Sequence, residues 1–213
     1  MASMVCDKVR ESGGEAFKFH CIIHQEALCA KTIQLRDVLE DVIKTVNVIK
    51  ARGLFHKEYK EFLSELDAKY GDVVYHSAVC WLSRGNVLKR FYSLRSEINQ
   101  FLKAKNQPFH ELSNPLWLAD LAFLVDLHDH LNTLNKRVQG KDQLMSDLYM
   151  EMQSLCTLLS IYESQLTNCE YNHFPTLLER TTSDPKTKIK SRMEKYVTVI
   201  KSLKAEFDRR FQD

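Results

Sequence analysis

Between positions 35 and 49 the apolar residues Leu35, Val38, Leu39, Val42, Ile43, Val46 and Ile49 recur every three or four places, the spacing that puts side chains on one face of a helix. The period returns at Phe55, Tyr59, Phe62, Leu63, Leu66 and Tyr70, and again at Val87, Leu88, Phe91, Leu94, Ile98, Phe101 and Leu102. Two more stripes follow: Leu144, Leu148, Met152, Leu155 and Leu159, then Ile189, Met193, Tyr196, Val197, Ile200, Leu203, Phe207 and Phe211. Such a chain must bury helix against helix. With 6 Gly and 4 Pro in 213 residues it has few turn formers to spare for many short strands, so the expected fold class is mainly α.

Local signals place the boundaries. Gly53 and Gly71 stand just past the first two stripes, where a left-handed residue would end each helix. Residues 72–81 read as extended or irregular, and Ser83 or Asn86 can cap the third helix, which runs out before Pro108. Ser113-Asn114-Pro115 is a start signal, because proline at the first helical position gives up no bond that would form. An apolar helix over 116–138 follows, ended by Gly140, then another over 141–168, and Asp184-Pro185 breaks the chain before the last. Residues 1–16 are polar, with Gly13-Gly14, and read as a surface lead-in. Residues 17–23 alternate apolar and polar before Ile22-Ile23, as a short strand entering a core would. The expected division is 1–32, holding that strand, and 33–213, all helical.

Lys and Arg number 30 against 28 Asp and Glu, a net charge of +2, so no global field argues for nucleic acid and any such role needs a local patch. The first residues hold no long apolar run, so neither a secretion signal nor a spanning helix is read and an intracellular protein is expected. Cys6, Cys21, Cys29, Cys80, Cys156 and Cys169 are scattered through helical sequence and are read as reduced thiols, since disulfide frameworks belong to small loop-rich domains.

Four constellations could carry chemistry. Cys21 and His24, with Cys29 nearby, have short metal-ligand spacing, but no paired knuckle follows; they are read as packing residues, with no metal and no cofactor. Cys21 as a nucleophile would need a group to orient His24 and an oxyanion site, and nothing local supplies either. Asp126, His128, Asp129 and His130 project in different directions along one helix and are read as a solvated face. Phosphate loops and the common zinc-protease and serine-hydrolase motifs are absent. The fourth is Trp81 with Arg84, Lys89 and Arg90 at a helix start, where an aromatic among basic groups suits base stacking and phosphate contacts. The commoner arrangement of such a stretch is a buried tryptophan with its basic residues facing outward.

The stretches from His20 to Cys29 and from Trp81 to Phe91 resemble the C-x-x-H and tryptophan motifs of hAT-family transposases. The resemblance runs on through 47–53, 65–71, 121–126 and 173–177, across nearly the whole chain, and is greatest to the transposase-derived region of general transcription factor II-I repeat-domain proteins and of BED-zinc-finger proteins. It implies a ribonuclease-H-like fold interrupted by a large helical insertion, with three acidic residues holding two divalent metals for strand transfer. Ala2-Ser3-Met4-Val5 resembles the tail of the turn that carries the second of these, which would place that aspartate just before Met1; none of the triad can be assigned here. Cys21 and His24 match the C-x-x-H segment, Trp81 the tryptophan associated with a flipped base, and Arg84 the adjoining basic position; Cys80 departs from the basic residue relatives often carry.

The resulting expectation is a catalytically inactive, transposase-derived protein, nuclear or cytoplasmic, that serves as an interaction module for an unidentified protein partner, with DNA binding weak or absent. The alternatives are a DNA-binding module acting through Trp81 and Arg84, and a metal-dependent nuclease whose carboxylates come from another chain.

Overall fold

The computed structural model describes residues 35–74, 81–138, 145–183 and 189–211. They are built from helices and their connections: α1 (Arg36–Ala51), α2 (Gly53–Glu65), α3 (Trp81–Ser93), α4 (Arg95–Ala104), α5 (Pro115–Val138), α6 (Met145–Thr167), α7 (Pro175–Ser183) and α8 (Met193–Phe211), with short 3-10 turns at His110–Ser113 and Ile189–Arg192. The strand expected at 17–23 lies outside the described residues.

The central element is α5. Every residue from Trp117 to His128 is buried, so the helix is enclosed on all sides, and it packs on α1, α3, α6, α7 and both 3-10 turns. Its start follows the sequence signal: Asn114 Oδ1 accepts hydrogen bonds from the N–H groups of Leu116 at 3.0 Å and Trp117 at 3.3 Å. α8 runs antiparallel along α6, with Asp208 beside Cys156 at one end and Lys201 paired with Glu163 at 3.6 Å further along. In the core the Phe123 ring stacks on Tyr196 at 4.3 Å and on Phe174 at 5.6 Å, tying α5 to α8 and to the turn before α7.

The glycine stops at Gly53 and Gly71 are corrected, and Gly140 lies outside the described residues. Gly53 opens α2, and the bend before it is a single extended residue, Arg52 (φ −112°, ψ 116°). α2 ends at Glu65, well short of Gly71, and the left-handed residue beyond it is Asp67 (φ 48°). Asn106 (φ 56°) and Cys169 (φ 58°) hold the same position after α4 and α6. At all three ends a backbone N–H reaches back across the turn, from Ala68 to Leu63 O at 3.0 Å, Gln107 to Leu102 O at 2.9 Å and Glu170 to Gln165 O at 2.8 Å. The third stripe is divided at Leu94 (φ −101°, ψ 13°) into α3 and α4. α7 carries no apolar stripe long enough to announce it, and the sequence reading passes over it.

Candidate functional site

Arg84 and Gly85 lie on the side of α3 that meets α5. A Cβ on Gly85 would sit 2.2 Å from Asn132 Nδ2 and 3.5 Å from His128 Cβ, so glycine is what lets the two helices approach this closely. Arg84 is half-buried; burial lowers its pKa, and its charge in turn disfavours protonation of His128. One turn on, Lys89 Nζ pairs with Asp129 Oδ2 at 3.1 Å, both side chains being more than half exposed. Arg90 turns the other way, its guanidinium 3.9 Å from the centre of the Tyr70 ring and donating to Asp72 O at 3.0 Å. Asp72 binds that corner: its carboxylate is 2.9 Å from His56 Nε2 and 3.4 Å from Lys50 Nζ, and accepts from its neighbour Val73 N–H at 2.8 Å. The three basic side chains proposed from the sequence thus reach three separate neighbours. Trp81 is the first residue of α3; its side chain, like Cys21 and His24, lies outside the described residues.

The solvated face expected at 126–130 is corrected. Asp126 and His128 are buried, at 4% and 1% exposure, His130 is half-buried, and Asp129 is exposed. The reason is that α5 is surrounded, so the face that would meet water meets α3 and α7. Asp126 accepts from Thr176 N–H at 3.1 Å and Leu177 N–H at 3.0 Å, capping α7 from another helix. Burial raises its pKa against the lowering effect of those hydrogen bonds. Asp120, a turn and a half earlier, accepts from Tyr196 Oη at 2.8 Å and pairs with Lys195 at 3.0 Å and Arg192 at 3.7 Å. His128 Nδ1 lies 2.8 Å from Leu124 O, and burial pushes its pKa down to about 4, so the ring is neutral.

Beside this polar seam a cleft of about 180 Å³ opens between α5 and α6. His130 stands in its wall, stacked on Tyr162 at 4.6 Å, with Nε2 2.7 Å from His173 O. His173, from the turn before α7, also lines it and places Nδ1 2.8 Å from Gln165 Oε1. Arg137 and Glu151 form a 3.6 Å pair at its edge. Cys156 and Cys169 are free thiols, and burial, with Asp208 adding to it, pushes Cys156 up to about 11. Among the described residues no three His, Cys, Asp or Glu side chains converge as metal ligands, and no helix is long and apolar enough to cross a membrane.

Residues 20–167 match the family described as the FAM200/GTF2IRD2 helical domain. The chain belongs to that family. The FAM200/GTF2IRD2 match spans α1 to α6, so the family segment ends where α6 ends, while α7 and α8 complete the packing around α5 and α6. Across 203 residues, 94% of the chain, it is 39% identical to the mouse (Mus musculus) protein named general transcription factor II-I repeat domain-containing protein 2, and across 213 residues, 99% of the chain, 38% identical to the cattle (Bos taurus) protein of the same name. The chain spans 21% of the length of each of these relatives. No solved structure matches it. Asp120 and His173, neither read as an anchor from the sequence, hold the packing around α5. The signal for Asp120 was available, since a carboxylate inside a run as apolar as 116–125 needs a buried partner.

Proposed function

We propose that this domain is a non-catalytic interaction module of hAT-transposase descent, acting in the nucleus or cytoplasm and binding protein partners in preference to DNA. On this reading residues 33–213 derive from the helical insertion of a ribonuclease-H-like transposase. What supports it is the use made of the buried carboxylates of α5: Asp126 caps α7 and Asp120 is held by Tyr196, Lys195 and Arg192, so both serve the fold. The mouse and cattle relatives are named for a general transcription factor II-I repeat, which favours a nuclear setting.

The test is strand cleavage and transfer with magnesium or manganese on hairpin DNA; the expected outcome is none, because holding paired metals requires carboxylates free to ligate. Metal-dependent cleavage that survives removal of trace contaminants would overturn the reading.

A second reading, a DNA-binding module using Trp81 and Arg84, is favoured by one observation: the Lys89–Asp129 pair is exposed and solvent-screened, so Lys89 can exchange its partner for a phosphate. If it holds, Trp81→Ala weakens hairpin binding by about 1–3 kcal/mol with folding intact. The leading reading expects no salt-sensitive hairpin binding that depends on Trp81.

A further inference from the structure

We infer that the groove between α1 and the turn after α4 receives a basic amphipathic segment of a partner protein, which seats an apolar side chain in it with lysine or arginine alongside. Asp41, Lys44, Thr45 and Val48 fall on one side of α1 and make the first wall. Opposite them, the left-handed Asn106 (φ 56°) ends α4 and turns Gln107, Pro108 and Phe109 back beside Leu102. Between the walls lies an open space of about 340 Å³.

The middle of the groove is apolar. Leu102 is buried, the half-buried Phe109 ring is held edge-on against Trp117 at 5.4 Å, and Pro108 has no N–H to offer. The Thr45 hydroxyl donates to Asp41 O at 2.8 Å within α1, so it adds no free donor. Val48, at 46% exposure, is one of the few large apolar side chains that the described residues leave open to solvent. Such a floor takes the anchor of an amphipathic segment.

Charge decides which segment suits it. Asp41 stands in the wall, and Asp37 and Glu111 lie near enough that each opposes its ionisation. Neither of those two has an ion-pair partner among the described residues. Lys44 is divided between Glu40 at 3.9 Å and Asp41 at 4.0 Å, and its side chain stays 70% exposed. A partner's lysine or arginine relieves the repulsion among these carboxylates, whereas an acidic peptide, a nucleic acid or an anionic membrane adds to it.

The inference rests on the reading of the domain as a partner-binding module, and its test concerns the groove alone. The full chain is titrated with a synthetic amphipathic peptide of leucine and lysine while the methyl signals of Val48 and Leu102 are followed. Both should shift, and glutamate in place of the peptide's lysines should weaken binding at least about tenfold. Serine in place of its leucines should abolish it. Val48→Lys, a change at an exposed helical position read through Leu102, should weaken binding at least about fivefold. The chain carrying both Asp37→Asn and Glu111→Gln should lose most of the salt dependence of binding. Equal binding of the glutamate peptide, an indifferent Val48→Lys, or unchanged salt dependence would each overturn the inference. Shifts of Val48 and Leu102 on dilution of the chain alone would assign the groove to a second copy and overturn it as well. Peptide or partner binding through another face, with both methyl signals silent, would overturn it too and leave the interaction reading standing.

Discussion

Gly85 is the residue on which the contact of α3 with α5 turns. Alanine there normally gains about 1 kcal/mol of helix propensity, but its methyl would lie 2.2 Å from Asn132 Nδ2 and 3.2 Å from Asn132 Cγ. Asn132 is itself buried, at 7% exposure, so its amide has little room to move away. An overfilled site costs roughly 1–3 kcal/mol, and after the propensity gain Gly85→Ala should lower stability by about 1–2 kcal/mol. Asn132→Ala makes room for the methyl, so the pair in one chain should be more stable than the sum of the single effects allows. Urea denaturation of the four proteins reads this directly, and strict additivity would show that the helices do not touch at Gly85. The glycine was visible in the motif Trp81-Leu82-Ser83-Arg84-Gly85, but its reason was not, because the atom it makes way for is 47 positions along the chain.

At the scale of elements, most helices were legible because an apolar stripe marks where a helix meets the core. The stops were less so. A left-handed stop invites glycine, yet Asp67, Asn106 and Cys169 occupy these sites; Asp and Asn tolerate the conformation through local hydrogen bonding, and Cys169 has no comparable rationale in its chemistry. α7 was missed for a definite reason. The residue before Pro175 is Phe174, which cannot cap, and the cap comes instead from Asp126, 50 and 51 residues away from the N–H groups it receives. Asp126→Asn keeps the shape but removes the charge and one of the two acceptors. It should cost about 1–3 kcal/mol, with the faster amide exchange at Thr176 and Leu177 showing that α7 loosens first. Equal protection of α7 in both proteins would mean that its packing on Phe174 and Leu177, and not the cap, holds it.

For the whole molecule, the buried groups of α5 set how stability responds to pH. His128 is held neutral with a folded pKa of about 4, below the value near 6.5 expected of the unfolded chain. A depressed pKa contributes stability above the unfolded value that is lost as pH falls toward the folded one, here on the order of 3 kcal/mol between about pH 6.5 and 4. Asp126 acts in the opposite sense: its folded pKa is raised, so its contribution is present in acid and fades as pH rises through the folded value. The two slopes are opposite in sign, so removing His128 isolates its own share. The urea midpoint should fall across this window, and His128→Gln should flatten the fall; an unchanged slope would place the titrating group elsewhere. The sequence by itself determined that the chain forms long helices and that 116–138 is a long apolar one, because periodicity and local chemistry act over a few residues. Only the tertiary structure decided that Asp120, Asp126 and His128 face protein and not water. Burial depends on which helices surround a face, and the partners of these side chains, in α3, α7 and α8, are distant in the chain.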